Sequence, residues 1–355
     1  MEFGTRPLES VFAGAVMITP VDFAFVSAKL HGMRSKTYEG PRLDALRSLR
    51  NVFEMMTAVF PNLDVRSRMR FEQRLAQEHT NDLGRVQVFL DGHNREFFDW
   101  QLERYRLENL KVVLRGWKAH QTPAEVKTQL VELPPDYSLP VDQTLAATHL
   151  IDVVRLVPVK LFGDGIRRGA VQFHDTNKLF YIEAGLDACY FEELCRRSGS
   201  LRAADRDEVN ELLAFEVLMY DVLFAMRARL NYDIAVEDVR EFLVTGPPPA
   251  LPGAEFAAML ERNSFTEMLQ AVPRRRVLLG PQADPLNLDE LQQRLWERLY
   301  RLANRLFYRS MFHMGCVEAF YYIKRVELNN LIRVAELLKQ EVSAGEIERL
   351  LIRLG

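Results

Sequence analysis

Residues 314–354, MGCVEAFYYIKRVELNNLIRVAELLKQEVSAGEIERLLIRL, constrain the fold more than any other stretch. Val317, Tyr321, Lys324, Leu328, Leu331, Ala335, Leu338 and Val342 recur at alternating spacings of four and three, with only Lys324 interrupting an apolar line. That period predicts one long helix with an apolar stripe that needs a partner along its whole length. Ser343-Ala344-Gly345 then breaks the pattern. Gly345 is expected as a left-handed cap, with Glu346 opening a short second helix. The unit is therefore a long helix, a tight turn and a short helix.

This unit recurs. Shifting the chain against itself by 221 residues lays 103–130 on 324–351, and eight of the 28 positions are identical. Arg104, Leu107, Asn109, Leu110, Val113, Lys118, Glu125 and Leu130 match Arg325, Leu328, Asn330, Leu331, Val334, Lys339, Glu346 and Leu351. A fainter third copy runs from Glu216 through Asp238-Val239 to Leu243, with Asp221 where the others carry asparagine. Repeats of about 110 residues predict three similar units in place of short solenoid repeats. Proline-rich breaks divide them: Pro134-Pro135-Asp136, then Gly246-Pro247-Pro248-Pro249. The expected organisation is an extension over 1–20 and helical units over 21–135, 136–247 and 248–355.

Between these breaks most patterns are helical. Phe23, Val26, Leu30 and Met33 mark a first helix; Leu43, Leu46, Leu49, Val52 and Phe53 mark one side of a second, joined to it by Glu39-Gly40-Pro41. A third apolar series, Leu291, Leu295, Leu299, Leu302 and Leu306, begins after Asp289. The one ambiguous strand candidate is 153–161. The most apolar segment, 212–226, is too short to cross a bilayer and carries Glu216 and Asp221, so it is expected as a helix buried on most sides. A short apolar stretch at 11–18 follows Glu2 and Glu9 with no basic run, so no signal peptide is expected.

With 48% hydrophobic and 27% charged residues, the 355-residue chain holds enough apolar matter for two or three cores. A net charge of −3 gives no basic field for nucleic acid. Three cysteines without pairing or metal spacing (Cys189, Cys195, Cys316) point to a reducing compartment, the cytosol. The seven histidines are scattered, and no pair has zinc-ligand spacing. Gly163-Asp164-Gly165 lacks the strand-loop-lysine context that cradles phosphate and is expected to be a plain turn. Arg274-Arg275-Arg276 is expected to be a solvated loop more than a contact for an acidic partner. No catalytic, cofactor-binding or metal-binding residue is assigned. Asn109 and Asn330 are expected to make structural hydrogen bonds to a neighbouring helix or to backbone freed in a turn. Glu103 with Arg106, and Lys324 with Glu327, occupy equivalent positions with reversed signs. Each reads as an intrahelical pair, and a sharper reading has the two pairs meeting between the first and third units.

Three stretches, in order, resemble a known family. Residues 23–36, FAFVSAKLHGMRSK, are similar to its basic first helix; 107–116, LENLKVVLRG, to its acidic-x-Asn-Leu repeat; and 319–333, AFYYIKRVELNNLIR, to its closing helix. The family is the C subunit of bacterial and archaeal V/A-type rotary ATPases, related to the d subunit of the vacuolar enzyme. The resemblance runs from about Val21 to the end, and the middle copy departs from it at Asp221. It implies an all-α protein of three pseudo-repeated units in a funnel around a pseudo-threefold axis. It also implies a non-catalytic component without cofactors, on the cytoplasmic face of the membrane. The implied partners are the rotor ring and the central shaft, with the membrane reached only through the ring and no nucleic acid. Two other readings are a helical adaptor unconnected with ATPases and an enzyme using dispersed carboxylates, which would show acids of shifted pKa in a deep pocket.

Overall fold

The computed structural model describes residues 20–61, 68–281 and 284–353, and among these the regular structure is all helical. In chain order the α-helices are α1 (Pro20–Arg34), α2 (Pro41–Arg47), α3 (Val52–Val59), α4 (Arg68–Gln87), α5 (Gly92–Lys118), α6 (Pro123–Lys127), α7 (Val141–Ala146), α8 (Leu150–Leu156), α9 (Lys160–Arg168) and α10 (Ala170–Thr176). They continue with α11 (Phe180–Ser198), α12 (Ala203–Leu230), α13 (Val236–Phe242), α14 (Ala257–Leu260), α15 (Phe265–Gln270), α16 (Arg275–Leu279), α17 (Leu288–Arg309), α18 (Met314–Lys339) and α19 (Ala344–Leu350). The ambiguous 153–161 stretch is not a strand: it holds the end of α8, a non-helical break at 157–159 and the start of α9. The 11–18 segment and Leu354 lie outside the described residues.

The three repeat copies become α5, α12 and α18, each followed by a turn and a short helix: α6, α13 and α19. Helix α18 packs against α17, α12, α4 and α1, and every residue from Met314 to Lys324 is buried. Such all-round burial explains why its stripe carries so many apolar residues. Its end departs from expectation. Glu341 adopts the left-handed backbone (φ 56°), whereas Gly345 sits in the first turn of α19. Ser343 starts that helix because its hydroxyl accepts from the Glu346 N–H while the Glu346 side chain reaches back, a reciprocal capping box. Thr122 and Glu125 do the same for α6, at the repeat-equivalent place.

The expected helix after Pro41 is in fact two. Gly40 takes a left-handed φ of 49° that a side chain would oppose, so the turn out of α1 depends on it. After α2, the Asn51 side chain accepts from the Glu54 N–H at 3.0 Å and starts α3, because an asparagine favours a cap over a helix interior. The break rotates Phe53 out to 66% exposure, off the face it was expected to share.

The main core runs from α1 through α5, α11, α12 and α17 to the first half of α18. A second core joins the two ends of the chain: Leu43, Leu46, Met55, Met56, Phe71 and Leu75 pack with Leu331, Val334, Ala335, Leu338, Ile347 and Leu351. The Gly163-Asp164-Gly165 stretch is a helical segment and not a turn. It lies in α9 where that helix crosses α11 backbone to backbone, and a Cβ on Gly165 would stand 2.9 Å from the Gly185 carbonyl oxygen. The arginine run is held within the chain: Arg274 pairs with Glu255 at 3.6 Å and Arg275 with Asp284.

Candidate functional site

The repeat asparagines do one job twice. Asn109 donates its amide to the Val131 carbonyl (2.8 Å) and accepts from the Val131 N–H (2.9 Å). Asn330 does the same with Ile352, at 2.8 and 2.9 Å. Each fastens a long helix to the chain 22 residues on, where the short helix has ended and left backbone groups free. In the middle copy Asp221 accepts from the Val244 N–H at 3.0 Å, but its Oδ2 is buried without a partner. Burial pushes its carboxyl well above the usual range, against the Val244 hydrogen bond, with the Glu192 charge adding to the rise.

Counting back five residues from Asn109, Asp221 and Asn330 gives Arg104, Glu216 and Arg325, one charged residue from each copy. These three converge. Arg325 forms an ion pair with Glu216 through Nη1 and Oε1, and Tyr322 donates its hydroxyl to Glu216 Oε2 at 2.6 Å. Burial alone would raise the Glu216 carboxyl, but Arg325 and Arg104 outweigh it and hold the group below its usual range. Aromatic faces support both cations. Arg104 lies 5.4 Å from the ring centroids of Tyr190 and Phe191, and Arg325 lies 5.0 Å from that of Trp296.

The three charges line one cavity of about 320 Å³. Its other polar groups include Glu183, Asp187 and Arg227, and its apolar wall includes Phe180, Phe191, Leu223, Phe224 and Trp296. Around the rim, Lys111 reaches Asp187 at 2.6 Å and Arg115 reaches Glu183 at 2.6 Å, tying α5 to α11. A larger cavity of about 550 Å³ lies beside the turn after α5, where Asn109 is already engaged with backbone.

The reversed pairs at 103/106 and 324/327 form as intrahelical contacts, but they bond to different neighbours. Lys324 also reaches Asp82 of α4 at 2.9 Å, and Glu327 accepts from the Tyr38 N–H at 2.7 Å. Arg106 instead donates to the Asp136 carbonyl and covers the Tyr137 ring. Lys324 thus joins α18 to α4 through Asp82, while Gln101, whose amide donates to Glu318 at 2.7 Å, links the first and last copies directly.

Among the described residues, no group of three or more His, Cys, Asp or Glu side chains is arranged to hold a metal ion. Burial raises the carboxyls of Asp221 and Glu318, the latter to about 8, and neither lines this cavity; of the three carboxyls that do, Glu216 is held below its usual range by Arg325 and Arg104. The sequence reading singled out the asparagines but not the charged residues five positions earlier. Their signal was present, since Arg104 and Arg325 are identical in the 221-residue register.

Comparison with known proteins fits this helical repeat. Residues 26–350 match the family model described as ATP synthase (C/AC39) subunit. The chain belongs to that family. Relatives include the C subunit of the A-type ATP synthase from Methanosphaera stadtmanae, 18% identical over 271 residues, covering 74% of this chain and 69% of the relative. The equivalent protein of Methanosarcina mazei, with the same name, is 24% identical over 202 residues, covering 55% of this chain and 52% of the relative. Family membership places the chain in an A/V-type ATP synthase complex, with the other components of that complex as its partners. Among the described residues no helix is long and apolar enough to cross a membrane.

Proposed function

We propose that this chain is a non-catalytic central-stalk component that couples the rotating shaft of the complex to its membrane rotor ring. The observation that supports this most is the charged junction of Arg104, Glu216 and Arg325, which draws one residue from each repeat copy to the wall of a single cavity. Three long helices locked at one node resist being twisted apart, and torque transmission demands that resistance. The cavity's mixed wall of fixed ion pairs and aromatic faces suits a protein surface with a polar rim better than a small substrate. In this reading the shaft seats on the cavity side, and the chain sits on the cytoplasmic face, meeting lipid only through the ring. Units over 21–135, 136–247 and 248–355, arranged as a funnel around a pseudo-threefold axis, would present such a socket.

Reconstitution tests the proposal. Catalytic head and shaft are combined with ring-containing vesicles, with and without the chain. Ion pumping is expected to require it, while ATP hydrolysis by head and shaft continues in its absence. Binding to the ring is expected to weaken as salt rises, because a peripheral, partly polar contact is screened. Full pumping by vesicles that lack the chain would refute the coupling role.

A further inference from the structure

Beside the charged junction lies a carboxyl that the socket reading does not use. Glu318 of α18 is 0% exposed. On one side Gln101 of α5, also 0% exposed, donates its amide to Glu318 Oε2 at 2.7 Å. The other two oxygens, Gln101 Oε1 and Glu318 Oε1, are buried acceptors without a donor. On the opposite side the Tyr322 hydroxyl, one turn along α18, donates to Glu216 Oε2 at 2.6 Å while also facing Glu318. One hydroxyl proton cannot serve two carboxylates. An ionised Glu318 therefore leaves buried acceptors unsatisfied and sets a second negative charge beside Glu216.

A proton on Glu318 removes the second negative charge and turns one orphaned acceptor into a donor. Donated to the Gln101 amide oxygen, it satisfies both orphaned oxygens and closes a reciprocal pair between α5 and α18. Donated to the Tyr322 oxygen, whose hydroxyl keeps donating to Glu216, it makes hydrogen bonds run without a break from α5 through α18 to α12, ending on the Glu216–Arg325 ion pair. The groups that act on Glu318 are Gln101 from α5, Glu216 from α12, and Tyr322 and Arg325 from α18; Tyr321 also feels its charge. Arg104 acts on Glu216, helping to hold that carboxyl low. Arg325 favours the ionised form, but its pairing with Glu216 is direct, and burial and the Glu216 charge oppose it.

We propose that Glu318 is a proton latch, holding its proton while the three repeat helices are locked and loosening the junction of α5, α12 and α18 when it ionises. The carboxyl, raised by burial to about 8, is then neutral under ordinary cytosolic conditions and opens only on the alkaline side. The latch stands on the buried geometry and does not require the shaft to seat in the cavity.

The test uses the full chain with glutamate carboxyls labelled by ¹³C. One resonance is expected to titrate near pH 8 and to be missing in Glu318→Gln. Hydrogen exchange, corrected for intrinsic rate, is expected to show protection of 97–110 and 314–325 falling at least about threefold between pH 7 and 9 in the wild type. In Glu318→Gln it should stay within about twofold. Because the folded state keeps a proton that the unfolded state has lost, the wild-type folding constant should fall relative to Glu318→Gln by up to about tenfold per pH unit between roughly pH 5 and 8. It should then level off. Glutamate carboxyls that all titrate below pH 6 would overturn the latch, and this readout stands even where the variant fails to fold. Unchanged protection across pH 7–9 would overturn the loosening, and parallel stability curves would overturn the linkage.

Discussion

The middle repeat copy offers the sharpest test of the fastening device, through Asp221→Asn. Asp221 is 0% exposed, meets the Val244 N–H with Oδ1 at 3.0 Å and leaves Oδ2 without a partner. An asparagine keeps the acceptor, removes a carboxyl that burial holds well above its usual range and supplies the donor that Asn109 and Asn330 use on a backbone carbonyl. A buried, unsatisfied polar atom costs about 1–3 kcal/mol, so Asp221→Asn should stabilise the chain by about that much at pH 7. The sign follows from the raised carboxyl. Over the range where the unfolded aspartate has lost its proton and the folded one has not, wild-type stability falls as pH rises. The gain from asparagine should therefore be small near pH 3.5 and grow toward neutrality. Urea unfolding of both proteins at pH 4, 5.5 and 7 measures it. A variant that is less stable at pH 7, or a gain independent of pH, would refute the claim that a strained carboxyl occupies an amide's place.

Three further outcomes are expected. Leu331→Ala, at a site 5% exposed in the second core, should cost about 2–5 kcal/mol in urea unfolding, and an unchanged midpoint would mean that side chain is dispensable. Gly185→Ala puts a Cβ against the Gly165 carbonyl and should cost about 1–3 kcal/mol by forcing α9 off α11; a neutral result would show that the crossing can widen freely. Glu216→Ala leaves Arg325 without its buried partner and should cost about 3–5 kcal/mol at pH 7. Since the folded Glu216 carboxyl is held low, that penalty should shrink as pH falls through and below about 4, and a penalty that persists unchanged at pH 3 would contradict the ion-pair origin.

Much of this architecture was legible in the sequence because helical period and repeat register are properties of the chain itself. The 221-residue register located the long helices, and the equivalence of Asn109 and Asn330 carried over to bonds of nearly identical length. What escaped was set by competition between neighbours. Asn51 could extend a helix or cap one, and its side-chain bond to Glu54 decided for the cap, turning Phe53 outward. Gly345 had the freedom for a left-handed turn, yet Glu341 took that conformation once Ser343 and Glu346 had fixed the start of α19. Gly163 and Gly165 read as a loop because no sequence signal reports another backbone crossing over them. The charged junction was visible residue by residue, but only three-dimensional convergence shows that Glu216 stands between two arginines.

The second core has a consequence for how the chain comes into being. Its two halves come from opposite ends, and Arg353 pairs with Asp44 across 309 residues of sequence. During synthesis the amino-terminal helices α2 and α3 leave the ribosome long before residues 331–351 exist. At about 5–20 residues per second, their apolar faces wait many seconds for a mate. The second core must then be the last part of the molecule to assemble. A nascent chain halted before α18 would carry an open apolar surface on its first-made helices, a natural place for a chaperone to hold it until the final turn of α19 closes over them.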